Sequence, residues 1–213
     1  TNHKIIEEKL NKLLSEKELM FKEVHHRIKN NMNTVAGLMY MQSATLKDPA
    51  AIAILKDARS RVLSMMILYD KLYCTNNYDK LSFKDYLSSL VDEIINNFPN
   101  NGNVKIEKNI DDFTLDAKRS SDIGIIINEI LTNIMKYAFI GRPDGLITLS
   151  AMTIDNRMTM AIWDNGVGIP ESLDTNNSNG FGLQLVNLMT KSLQGTMKIE
   201  RDNGTKFILE FDL

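Results

Sequence analysis

Apolar residues in the first third of the chain recur three and four apart; further on, several stretches alternate apolar with polar between Asn- and Gly-containing turns. From Ile6 through Leu10, Leu13 and Met20 to Val24 the spacing is helical, and 12 of the first 29 residues are charged with both signs interleaved. This predicts an exposed helix with a narrow apolar seam, as in a coiled-coil connector, broken at Lys17. Ile28, Val35, Leu38 and Met39 continue it without a proline, with Gly37 the only strongly unfavourable helix residue, so the first helix is expected to run to about Met41. Asp48-Pro49 has the form of an N-cap followed by proline at the first helical position. Leu55, Ala58, Val62, Met65, Met66, Tyr69 and Leu72 then supply the stripe of a second helix. Two long helices joined by a short turn make an antiparallel hairpin, and such a hairpin needs a second copy or another domain to cover its stripe.

Cys74 to Lys80 is polar and aperiodic, the expected linker. Ser82 and Asp85 open the next helix as a capping-box-like pair, with Phe83, Leu87, Leu90, Val91, Ile94 and Ile95 on its apolar face. Val104 to Glu107 alternates as a strand, and Ser121 to Phe139 is apolar over a helical length. Strands Gly145 to Thr153 and Arg157 to Trp163 flank Asp155-Asn156; Thr196 to Glu200 and Thr205 to Phe211 flank Asp202-Asn203-Gly204. Between these hairpins Phe181 to Leu193 is helical. The expected architecture is an α+β layer sandwich, an antiparallel or mixed sheet covered by helices.

Composition narrows the classes. Of 213 residues, 43% are hydrophobic, which excludes disorder as the main state. Lys and Arg number 25 against 27 Asp and Glu, so no basic excess argues for nucleic acid. The single Cys74 cannot form an internal disulfide, and three scattered histidines make no zinc site of known spacing, which favours a reducing, cytoplasmic setting. No run of 18 apolar residues is present, so no membrane contact is expected within the chain. Its start at Thr1, without Met or a signal pattern, suggests a soluble piece of something longer.

Three segments carry chemistry beyond a core. On the helix around Asn128, at about 100° per residue, Glu129, Asn133, Lys136 and Tyr137 share a sector about 100° wide. An amide oxygen with ligand phosphates and waters suits Mg²⁺, and Lys136 can balance phosphate charge; a solvent-facing stripe is the alternative. Trp163-Asp164-Asn165-Gly166-Val167-Gly168 ends a strand in an acid and two glycines, where a carboxylate can accept from an exocyclic amine. Gly180-Phe181-Gly182-Leu183 opens a helix whose unpaired N–H groups attract anions. No P-loop or G-x-G-x-x-G after a strand is present.

In this order and spacing, over about Leu81 to Leu213, the three segments resemble the ATP-binding domain of the GHKL superfamily, a Bergerat-type sandwich; Gly204-Thr205-Lys206-Phe207 resembles its final strand motif. The resemblance implies that Asn133 ligates Mg²⁺, that Asp164 binds adenine, and that Gly166, Gly168, Gly180 and Gly182 shape the lid and phosphate site. Lys136, Tyr137, Leu183 and Thr205 belong to the same nucleotide-binding set, and Glu129 would lie near the γ-phosphate as a base or water-orienting group.

The first helix contains Glu23-Val24-His25-His26-Arg27-Ile28-Lys29-Asn30-Asn31. With Val24 at 0°, a buried stripe through Ile28, Val35, Leu38 and Met39 centres near 20–30°, leaving His25 at about 100° beside it and His26 at about 200°, nearly opposite. An exposed, neutral imidazole can attack a phosphoryl group in line, whereas a surface histidine need do nothing. H-H-R-x-K-N-N after a glutamate, on the first helix of a hairpin, resembles the HisKA_2 class of sensor histidine kinases, related to the HWE class. The resemblance implies a dimerisation and phosphotransfer hairpin, a four-helix bundle when dimeric, with His26 as phosphoacceptor. Arg27 stands where the commoner class has an acid, so Glu23 is the candidate to orient His26, and Asn30 a candidate to position a hydrolytic water.

The expected domains are 1–20, a signalling connector; 21–74, the phosphotransfer hairpin; 75–80, the linker; and 81–213, the ATP domain. The implied function is autophosphorylation from ATP with Mg²⁺, then transfer to a response-regulator receiver domain, by a homodimer. The rivals are a GHKL ATPase clamp or serine-kinase-type switch without histidine phosphorylation, and a nucleotide-independent dimerisation scaffold.

Overall fold

A computed structural model of the chain describes residues 2–73, 82–96, 98, 101–170 and 181–213. The chain divides into two compact units, Thr1–Asn76 and Asn77–Leu213. The expected linker and the Asn-rich stretch 171–180 lie outside the described residues.

In the first unit α1 spans Asn2–Thr45 and α2 spans Pro49–Tyr73, packed together as a hairpin. The turn is set by Asp48, whose Oδ1 accepts the Ala50 N–H at 3.0 Å while its carbonyl accepts from Ile52 at 3.0 Å. The seam between the helices is not the expected one. Among the α1 side chains described, His25, Ala36 and Ser43 are buried, with Lys29, Met32 and Met39 half-buried between them, a line centred at about 100° on the same wheel. Val24, Val35 and Leu38 are exposed. The correction has a physical reason: α1 carries two stripes, and the more apolar one faces away from α2.

In the second unit α3 (Phe83–Asn96), α4 (Ala117–Asn133) and α5 (Phe181–Ser192) cover one face of a five-stranded sheet. The strands are β1 (Val104–Ile110), β2 (Gly145–Ile154), β3 (Arg157–Asp164), β4 (Thr196–Glu200) and β5 (Thr205–Asp212), in the order β1-β2-β3-β5-β4. Only β1 and β2 pair in parallel, so the sheet is mixed. Alternation sorts its faces: Met158, Met160, Ile162 and Asp164 of β3 are buried, while Thr159, Ala161 and Trp163 are half-exposed opposite. Leu87, Leu90, Ile123, Ile126, Ile127, Ile130, Ile147 and Leu149 fill the core, each stabilising by about 1.5–3 kcal/mol.

The local signals act as their chemistry requires. Ser82 Oγ accepts the Asp85 N–H at 3.1 Å, capping α3. Asp155 and Asn156 take positive φ values of 49° and 63°, the geometry of a two-residue hairpin. Some bounds differ from those expected: α1 runs on to Thr45, β1 continues to Ile110, and α4 starts at Ala117, where the Asp116 carboxylate accepts the Arg119 N–H at 2.9 Å.

Candidate nucleotide site and the hairpin histidines

At the end of β3, Asp164 is 1% exposed, on the helix-covered face. Its Oδ1 accepts the Gly166 N–H at 2.8 Å, and the Thr205 N–H of β5 also bonds to the carboxylate. Burial pushes the Asp164 carboxyl above the usual range, opposed by those two N–H groups and by the Arg142 guanidinium. Asn165 fixes the loop to β2: its Oδ1 accepts the Leu146 N–H at 2.8 Å, its own N–H reaches the Leu146 carbonyl at 3.1 Å, and its carbonyl accepts from Arg142 Nη1. Val167 N–H then donates to the Ala138 carbonyl at 2.9 Å, tying the loop to the end of α4.

The glycines here are sterically required. A Cβ on Gly166 would lie 2.5 Å from both the Cβ and the carbonyl oxygen of Ala138. Gly204 has φ +116°, and its Cβ would lie 1.8 Å from the Asp164 carbonyl oxygen. Gly168 adopts φ +80°, a left-handed conformation. Gly166, Gly168, Asp164 and Thr205 are thereby brought to one sheet end. Gly180 falls outside the described residues, while Gly182 is buried and Leu183 half-buried in the first turn of α5, which packs on α4.

The polar stripe of α4 differs from the helical-wheel expectation. Glu129 is 1% exposed, against the solvent-facing alternative, and Asn133 is half-buried one turn on. From Ile134 to Ala138 the helix widens into a π-helix, so a step of 100° per residue no longer applies. Lys136 is half-buried and Tyr137 57% exposed. The widened turn also presents the Ala138 carbonyl to the loop after Asp164. Arg142 and Ala138, both unassigned from sequence, hold that loop; Gly141 before Arg142, at φ +74°, was the available hint. An open cleft of about 570 Å³ includes Trp163, Arg142, Arg201, Gly166 and Gly168, but not Glu129, Asn133 or Asp164. Its lining joins Gly166, Gly168 and Gly204 of the motifs to Trp163, which comes from the sheet face opposite Asp164. Among the described residues no group of three His, Cys, Asp or Glu could hold a metal.

On α1 the paired histidines part company. His25 is 6% exposed, its Nδ1 sharing a hydrogen bond with the Tyr69 hydroxyl of α2, and burial lowers its pKa. His26 is exposed. The Glu23 carboxylate, expected to orient His26, instead accepts from Arg27 Nε at 2.9 Å. The cause is spacing: Glu23 and Arg27 are four apart, the optimal helical ion-pair interval, while His26 lies about 60° round.

A mixed five-stranded sheet with helices on one face, ending in a buried acid and a glycine loop held by a helix, defines an ATPase-type nucleotide domain, here following a helical hairpin. A family model described as "Histidine kinase" matches residues 23–98, and one described as "Histidine kinase-, DNA gyrase B-, and HSP90-like ATPase" matches residues 118–213. The chain belongs to the sensor histidine kinases of the HisKA_2 class, with a GHKL-type ATP-binding domain. It is similar to the sensor histidine kinase PdtaS of Mycobacterium tuberculosis, 27% identical over 201 residues that cover 92% of this chain and 40% of that protein. It is also similar to blue-light-activated histidine kinase 2 of Erythrobacter litoralis, 25% identical over 90% of this chain and 56% of that protein. It thus spans about two fifths of the one relative and somewhat over half of the other. A solved histidine kinase domain from the blue-light-activated kinase EL346 of Erythrobacter litoralis shares the fold, with a TM-score of 0.64, 20% identity, and 85% and 95% of the two chains covered. No helix among the described residues is long and apolar enough to cross a membrane.

Proposed function

We propose that the chain autophosphorylates His26 from ATP and passes the phosphoryl group to an aspartate of a response-regulator receiver domain. The observation that carries this reading is the pairing, on one chain, of an outward-facing His26 with a nucleotide unit whose buried Asp164 is aimed by backbone donors. Asp164 would accept from the adenine amine, with Thr205 beside it. Gly166, Gly168, Gly180, Gly182 and Leu183 would line the base and phosphates. The half-buried Asn133 fits Mg²⁺ as a single amide oxygen, the remaining ligands being phosphate oxygens and waters, and Lys136 and Tyr137 would flank the phosphates. Bound Mg²⁺ neutralises charge developing on the phosphates.

In the transfer, the neutral His26 imidazole attacks the γ-phosphorus in line, an N–P bond forms, and the P–O bond to the β-phosphate breaks with its electron pair leaving on ADP. Positioning supplies most of the rate. Glu129 is the candidate base near the γ-phosphate. Glu23 is bound to Arg27 and would have to leave it to orient His26. The exposed Val24, Val35 and Leu38 support a homodimer in which this stripe meets a second copy, as a four-helix bundle. Residues 1–20 would carry the signal, 21–74 the phosphoacceptor, 75–80 the link and 81–213 the catalysis, in the cytoplasm.

Incubation with γ-labelled ATP and Mg²⁺ tests the reading. The wild type and His25→Gln take up acid-labile, alkali-stable label, and His26→Gln does not. Label retained in His26→Gln overturns the assignment, and phosphate release independent of His26 favours an ATPase clamp.

A further inference from the structure

We infer that His25 is a positioning residue, which keys α1 to Tyr69 of α2 and so fixes the direction in which His26 points. The inference rests on His26 being the phosphoacceptor. Two successive turns of α1 reach one place in α2, and the turn before them braces the first. Phe21 meets the His25 ring edge-on at 4.6 Å between centroids, His25 reaches the Tyr69 hydroxyl with ring centroids 5.2 Å apart, and Lys29 pairs with Asp70. Below this level Ala36 and Ser43 of α1 are buried and Met32 and Met39 half-buried, Leu55, Ala58, Val62, Met65 and Met66 of α2 are half-buried, and the Arg59 guanidinium of α2 lies over the Tyr40 ring of α1 at 5.3 Å from its centroid. Methionine contacts adapt to small slips or rotations, so the apolar part of that seam specifies the helix rotation weakly. A hydrogen bond is directional, and its angle degrades as the helix turns.

The covalent geometry does the rest. His26 follows His25 by one residue and so projects about 100° away from it. While the His25 ring is held against α2, His26 has to face outward, and in the structure it does. An imidazole about 5–6 Å from the helix axis moves roughly 2 Å when the helix rotates by about 20°. A misplacement of about 1 Å at a reacting centre can lower a rate about a hundredfold.

The test uses the whole chain with Mg²⁺ and ATP. Tyr69→Phe deletes only the hydroxyl, and His25→Phe keeps an aromatic ring against Phe21, so both are expected to fold, which thermal melting checks. The autophosphorylation rate at saturating ATP falls tenfold or more in each, while KM for ATP stays within twofold. The double variant is no slower than the slower single, because the same bond is removed once. His25→Asn, which restores an acceptor near the Nδ1 position, regains part of the rate. A Tyr69→Phe protein with the wild-type rate, a parallel change in KM, or losses that multiply in the double variant overturn the inference. His26→Gln separates the two readings. Label lost there but undiminished in Tyr69→Phe refutes the positioning role alone, and label retained there refutes the phosphoacceptor assignment.

Discussion

Replacing Gly166 with alanine inserts a methyl group where no space exists. The new Cβ would sit 2.5 Å from the Ala138 Cβ, 2.5 Å from its carbonyl oxygen and 2.6 Å from Asp164 Oδ1. Backbone and a buried carboxylate bound the space, so the loop itself must move. Moving it strains or breaks the Gly166 N–H bond to Asp164 at 2.8 Å and the Val167 N–H bond to Ala138 at 2.9 Å. At about 1 kcal/mol net for each bond and about 1–3 kcal/mol for overpacking, the penalty in the native loop is about 3–5 kcal/mol before relaxation. Because the loop is at the end of the sheet, it can swing outward, and the core beneath keeps its packing. Most of the penalty then appears as lost preorganisation of Asp164. If about 2 kcal/mol of it must be restored on binding, nucleotide affinity falls about thirtyfold. Titration calorimetry with ATP and Mg²⁺ measures the affinity, and thermal melting follows the domain, whose midpoint should drop by only a few degrees. A dissociation constant within twofold of wild type would refute the proposed packing of the loop on Ala138.

Two further outcomes follow from local features. The Asp164 carboxyl is raised in the fold, so between the ordinary Asp range and that raised value the native state binds more protons than the unfolded chain. Its contribution therefore becomes less favourable as pH rises through that window and is constant above it. The unfolding free energy of wild type minus that of Asp164→Asn, from denaturant titrations at several pH values, should decline through the window; a flat difference would refute it. Asp116→Ala removes the side chain that accepts the Arg119 N–H at 2.9 Å and should destabilise the second unit by about 1 kcal/mol, with a lower urea midpoint and an unchanged slope. An unshifted midpoint contradicts the capping role.

Much of the fold is legible in the sequence because its signals are local. Asp48-Pro49, Ser82, Asp155-Asn156 and the alternation of β2, β3 and β5 depend on a few neighbouring residues, and each acts where it stands. What failed depends on partners or on helix pitch. A wheel drawn at 100° per residue cannot foresee that Ile134–Ala138 becomes a π-helix, since the loop it receives is some thirty residues away. The early start of α4 was hidden because Lys118 and Arg119 interrupt the apolar spacing. On α1 the more apolar stripe looked like the hairpin seam, yet the seam against α2 is the line through His25, Ala36 and Ser43. Apolarity says that a face gets covered, not by which neighbour. Asp164 and the glycines after it were legible as a motif; the hold of Arg142 and Ala138 on them was not, being long-range in sequence.

The contact between Gly204 and the Asp164 carbonyl also bears on how the chain matures. Thr205, which steadies the Asp164 carboxylate, begins β5, which follows the other four described strands along the chain. While the ribosome is still adding that strand, at about 5–20 residues per second, Asp164 already exists without the neighbouring strand that steadies its carboxylate. Competence to grip a nucleotide therefore arrives only once β5 has been made, and a transcript cut short within β5 yields a polypeptide that carries the earlier motifs without the strand that steadies Asp164.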